Sequence, residues 1–173
     1  MNRKPIVIAA VLALVVLSVY RWRNPPLKTP TPQEVAKAFP DNSQAIFDGA
    51  DKFVLYALEP NESMKNMGHK TYFYGFGILG EATIFDKETM QKLRESFYDG
   101  LANDEGTATA CFNPRHGLRA VKNGKVLDLV ICFECGQAEV FINNKSVGGA
   151  DVNRRPQSTF DRIYNNAGLE LAR

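Results

Sequence analysis

Cysteine is scarce in this chain and comes late. None precedes Cys111, and only Cys132 and Cys135 follow it. That excludes a lipid-modified cysteine behind the N-terminus and confines thiol chemistry to one stretch. Histidine is scarcer still: His69 and His116 are the only two, so imidazole acid–base chemistry has few candidates. No serine has a histidine and an acid at a recognised spacing. No glycine-rich loop precedes a helix, because Gly75, Gly77 and Gly80 stand in an aromatic stretch, which removes the usual phosphate cradle. An excess of positive charge is also lacking, although the formal net charge is +2. Four of the 21 Lys and Arg residues, namely Arg3, Lys4, Arg21 and Arg23, lie before Asn24, which leaves 17 against 19 acidic residues, a net of −2. A slightly acidic domain offers nothing to a polyanion, so no nucleic-acid partner is expected.

What is present first is an apolar run. Pro5 to Tyr20 carries no charge, and Ile6 to Leu17 is apolar without a break. As a helix it would be about 24 Å long against a hydrocarbon core of about 30 Å. Trp22 can sit at the interface and the basic residues at both ends can snorkel outward, which makes a short span feasible. Ser18 to Arg23 shows no small-residue cleavage pattern. An uncleaved, single-pass anchor over residues 1–23 is therefore expected. A short basic N-tail favours the cytoplasmic side, which puts the globular part outside the cytoplasm.

Four of the nine prolines fall in Asn24 to Gln33, an extended spacer over residues 24–33. One domain, 34–173, follows. Thr31, Pro32 and Glu34 make a capping-box helix start, and Pro40 ends that helix early. A second short helix is expected over Ser43 to Asp48. Phe53 to Leu58 and Thr71 to Phe85 read as strands, the latter bent or broken near its glycines. Asp86 is an N-cap, and Met90, Leu93, Phe97 and Leu101 recur at helical spacing. Phe160, Ile163 and Ala167 form the apolar stripe of a terminal helix that stops at Gly168. The pattern predicts an α+β domain, an antiparallel sheet of meander hairpins with helices packed on one face, preceded by a single transmembrane helix.

Between these helices lies the chemically loaded part. Asn123-Gly124 is a strong hairpin signal and pairs Lys122 with Lys125. Carried back, that register sets Phe112 opposite Cys135. One extra residue in Pro114 to Gly117, where a bulge is favoured, sets Cys111 opposite Cys135 instead. Leu127, Leu129, Ile131, Phe133 and Cys135 alternate onto the core face, with Asp128, Val130, Cys132 and Glu134 on the other. A single strand from Val126 to Ile142 would be long, and a kink is expected near Gly136.

Several chemistries compete for these residues. Arg115-His116-Gly117-Leu118-Arg119 resembles the signature of histidine phosphatases, but no second histidine follows it. Cys132-Phe133-Glu134-Cys135 is a C-x-x-C inside a β-rich run rather than at a helix N-terminus, which excludes a thioredoxin-like site. Cys111, His116, Cys132 and Cys135 together would make a Cys₃His zinc site. A Cys111–Cys135 disulfide is the alternative if the domain is outside the cytoplasm. The plain reading is of small buried cysteines, with Arg115 and Arg119 paired to Asp128 and Glu134. The two strings, CFNPRHGLR and DLVICFECGQ, resemble a recurring element of uncharacterised bacterial proteins with an N-terminal anchor or signal. That likeness covers about a fifth of the chain and implies an envelope-facing bacterial protein; it assigns no catalytic role. The expectation is a membrane-anchored, non-enzymatic binding domain with a protein partner. The alternative is a metal or thiol centre at the cysteines.

Overall fold

The computed structural model describes residues 18–19, 27–40, 43–61, 71–102 and 111–172. Apart from Ser18 and Val19, the expected anchor lies outside them, as does His69. No helix among the described residues is long and apolar enough to cross a membrane.

Local signals set most of the element starts. Helix α1, Pro32–Ala38, opens on a complete capping box in which the Thr31 side chain accepts from the Glu34 amide and Glu34 reaches back to Thr31. Helix α2, Gln44–Asp48, is a single short turn. Asp86 caps α3, Lys87–Leu101, by accepting from the Thr89 amide at 2.8 Å. Gly168, at φ +80, ends α4, Gln157–Asn166, in the left-handed conformation that glycine adopts without strain.

The strands are β1 Lys52–Glu59, β2 Tyr72–Phe73, β3 Phe76–Ile84, β4 His116–Lys122, β5 Lys125–Cys132, β6 Gln137–Ile142 and β7 Lys145–Asp151. They form one seven-stranded sheet in the order β2-β3-β1-β4-β5-β6-β7, with every pairing antiparallel. Thr71 to Phe85, read as a strand bent or broken near its glycines, is broken at Gly75: it is a hairpin that reverses at Tyr74 and Gly75, both with positive φ. Val126 to Ile142, expected as one kinked strand, is likewise two: the chain turns back through Phe133 to Gly136. The Lys122–Lys125 register then runs to His116–Ile131 without interruption. There is no bulge in β4, and Cys111 lies before the strand rather than within its ladder.

Alternation along the strands sorts two faces. Phe53, Leu55, Ala57, Leu118, Ala120, Leu127, Leu129 and Ile131 join residues of all four described helices in the main core. The opposite face carries a smaller cluster of Tyr56, Leu58, Phe73, Val130 and Phe141, to which no helix among the described residues contributes. The domain is thus α+β with its helices on one side. From the sequence, the second face is that of Asp128, Val130, Cys132 and Glu134, the more polar side of β5. In the structure the β2–β3 hairpin brings Phe73 and Tyr74 over it, and Asp128 and Val130 are fully buried there.

Candidate functional site

The turn after β5 holds the sulfur chemistry. Cys132 ends the strand and Cys135 stands in the turn; the two form a disulfide across 5.2 Å between Cα atoms, inside the normal range. Of the alternatives weighed from the sequence, a Cys111–Cys135 bridge is not the one present; the reversal at Phe133-Glu134 brings the C-x-x-C pair together instead. Cys111 arrives by a different route. Residues 111–115 run beside the turn, held by the Leu58 amide donating to the Arg115 carbonyl at 3.1 Å and by the Asn113 amide donating to Cys135 Sγ at 3.3 Å. This leaves Cys111 Sγ 3.3 Å from Cys135 Sγ. Cys132 and Cys135 are 1% and 0% exposed, whereas Cys111 faces solvent.

The turn does not depend on its disulfide alone. Gly136, at φ +70, lets its amide donate back to the Phe133 carbonyl at 3.3 Å. The Gly136 carbonyl accepts from the Val152 amide at 3.0 Å, and the Glu134 carbonyl accepts from Arg154 Nη2 at 2.7 Å. The Glu134 carboxylate pairs with Arg115 Nη1 at 2.8 Å, and Arg115 Nε also donates to the Ala172 carbonyl at 3.0 Å. Phe133 is buried against the rings of His116 and Phe160, at centroid distances of 5.3 and 5.1 Å.

His116 shares the face of Leu118 and Ala120, so it points into the main core toward α4. It is 2% exposed and packs edge-on against Tyr164 at 4.8 Å. Its Nε2 lies 2.9 Å from Asp161 Oδ1, yet the orientation is not that of a formed hydrogen bond. Burial pushes its pKa down, and Asp161 opposes this in part. Among the described residues no group of three or more His, Cys, Asp or Glu is arranged to hold a metal. Of the four residues considered for zinc, Cys132 and Cys135 are committed to each other and cannot act as thiolate ligands while bridged.

The four polar candidates divide between two places. Arg115 and Glu134 belong to the cysteine turn. Arg119 and Asp128 face each other directly in the β4–β5 ladder on the second face. Arg119 Nε and Nη2 each donate to one oxygen of the fully buried Asp128 carboxylate at 2.8 Å, and Tyr74 Oη donates to Asp128 Oδ2 at 2.7 Å. The guanidinium also lies over the Tyr56 and Phe73 rings. The bond to Asp128 raises the Arg119 pKa further, and burial followed by Asp128 raises that of Tyr74. This unit closes the second face.

Sequence reasoning missed Asn113, Tyr74, Asp161 and Tyr164. Asn113 and Asp161 carry no periodic signal. Tyr164 falls on the stripe of Phe160, Ile163 and Ala167, and its hydroxyl donates to the Gly117 carbonyl at 2.6 Å in the core. None of the candidates lines the open groove of about 1030 Å³ between the spacer, α1, α2 and α3, whose walls include Leu27, Val35, Phe39 and Tyr98. No family model, curated protein or solved structure matches this chain.

Proposed function

We propose that the chain is a membrane-tethered domain whose working part is a thiol–disulfide exchange centre at Cys111, Cys132 and Cys135. The apolar run over 1–23 with its basic flanks supports the tether, and an extracytoplasmic position suits a resident disulfide. One observation carries the reading: Cys111 Sγ stands 3.3 Å from a sulfur of the Cys132–Cys135 disulfide. A thiolate there is within reach of Cys135, and its attack forms Cys111–Cys135 and releases Cys132. The reaction is redox-neutral. The non-covalent supports of the turn let the bond move without unfolding the hairpin.

Disulfide mapping of the full chain in detergent tests this. Thiols are alkylated in acid after incubation at rising pH, and the linked peptides are identified by mass spectrometry. Both Cys132–Cys135 and Cys111–Cys135 peptides are expected, each with the third cysteine alkylated, and the ratio is reached faster at higher pH because the thiolate is the attacking species. Recovery of Cys132–Cys135 alone under every condition would sink the proposal. The groove beside α1 and α3 favours a second reading, an interaction domain that takes a protein partner there. On that reading the disulfide only braces the fold, and the single-isomer result is the expected one.

A further inference from the structure

Building on that exchange centre, we infer that Cys111 is the port through which an external thiol reaches the buried disulfide. Cys132 and Cys135 are 1% and 0% exposed, so neither presents its sulfur to a thiolate from solvent. Cys111 is the one cysteine that both faces solvent and touches Cys135. Exchange with the outside therefore takes two transfers.

In the first, Cys111 loses its proton to solvent and its thiolate attacks Cys135 Sγ. The Cys111–Cys135 bond forms, the Cys132–Cys135 bond breaks, and Cys132 leaves as a thiolate that takes up a proton. In the second, an external thiolate attacks the exposed Cys111 Sγ. A mixed disulfide forms on Cys111, the Cys111–Cys135 bond breaks, and Cys135 leaves as a thiolate and is protonated. A second external thiolate then attacks the outer sulfur of the mixed disulfide and releases Cys111 as thiolate. The protein disulfide has become two thiols and two external thiols have become one disulfide, a balanced two-electron transfer.

The backbone is arranged for this order. The sulfur that leaves first, Cys132 Sγ, accepts the Cys135 amide at 3.1 Å. The sulfur that leaves second, Cys135 Sγ, accepts the Asn113 amide at 3.3 Å. Each amide points at the atom on which negative charge develops, and a hydrogen bond to an ionised acceptor is stronger than one to a neutral acceptor. The substrate class is a thiol that can present its sulfur at the surface, in a small molecule or on a protein.

The experiment follows reduction of the Cys132–Cys135 bond in the full chain and in Cys111→Ser, with glutathione in one arm and a protein C-x-x-C dithiol in the other. In the wild type, glutathione is expected to be trapped on Cys111 and on neither buried cysteine. Reduction in Cys111→Ser is expected to be slower by about tenfold or more, since neither remaining sulfur is presented to solvent. Reaction with glutathione alone assigns a small thiol, and reaction with the dithiol protein alone assigns a protein thiol; either supports the port. Equal rates in wild type and Cys111→Ser, or an adduct on Cys132 or Cys135, overturn it. If both disulfide isomers are still recovered without added thiol, the exchange centre survives that failure. If only one isomer is recovered, the centre itself has failed.

Discussion

The two ends of β5 are closed by different physics. At its start, Asn123 and Gly124 both take positive φ, +48 and +78, which matches the twist of a two-residue hairpin. Little else is needed there beyond the Asn123 amide donating to Asp51. At its end, only Gly136 takes positive φ among the turn residues, and the reversal depends on Arg154, Val152, Arg115, Phe160 and a disulfide. The first turn carries its own instructions in two residues. The second is assembled from segments far along the chain. The second turn is therefore held by several contacts besides its disulfide.

The largest difference between the two ends is expected at Phe133. Its ring is 3% exposed and anchors the second turn in the core. Phe133→Ala should cost about 3–5 kcal/mol, the usual range for emptying a buried aromatic site. Urea unfolding monitored by circular dichroism reads this directly. A loss well below 1 kcal/mol would mean that the disulfide alone holds the turn.

Gly124 tests the opposite end. A Cβ there would meet nothing within 4 Å, so sterics against neighbours contribute nothing. The left-handed backbone does: Gly124→Ala should cost about 1–2 kcal/mol. The same unfolding measurement should show the loss with the disulfide reduced as well as intact. A loss that disappeared on reduction would mean that the two turns are coupled, against the view of the first as self-contained.

What was legible in the sequence follows the same division. The capping box at Thr31, the Asp86 cap, the Asn-Gly register and the Gly168 stop are all local, and each stands where its residues predict. The face alternation of β5 was legible because one face meets helices through Leu127, Leu129 and Ile131. The reversal at Phe133 was not, because Phe-Glu between two cysteines has no turn signature of its own. One long strand demanded a bulge to bring Cys111 to Cys135, whereas the structure achieves the approach with a coil held by Leu58 and Asn113. The buried Asp128 was placed on the correct face, but its cover, Tyr74, comes from a hairpin 54 residues upstream that periodicity cannot bring near.

The smallest expected difference between the two ends is in pH. His116 packs on Phe133 and its pKa is lowered by burial, with Asp161 pulling the other way and Arg115 adding slightly to the depression. In the unfolded chain the imidazole returns to about 6.5. The unfolded state therefore binds the proton more readily. The stability that this site contributes is fully present above about pH 6.5, declines as pH falls through that value, and levels off below the folded pKa. Between pH 7.5 and 6 the loss from this one group stays below about 1 kcal/mol. His116→Phe, which keeps an aromatic ring among Phe133, Phe160 and Tyr164 but does not titrate, should remove that part of the pH dependence. The cost of Gly124→Ala should be the same at both pH values, because its origin is backbone geometry. The decisive quantity is the change in unfolding free energy from pH 7.5 to 6 in the wild type minus that in His116→Phe. A difference of zero would show that the imidazole is not held neutral by the turn.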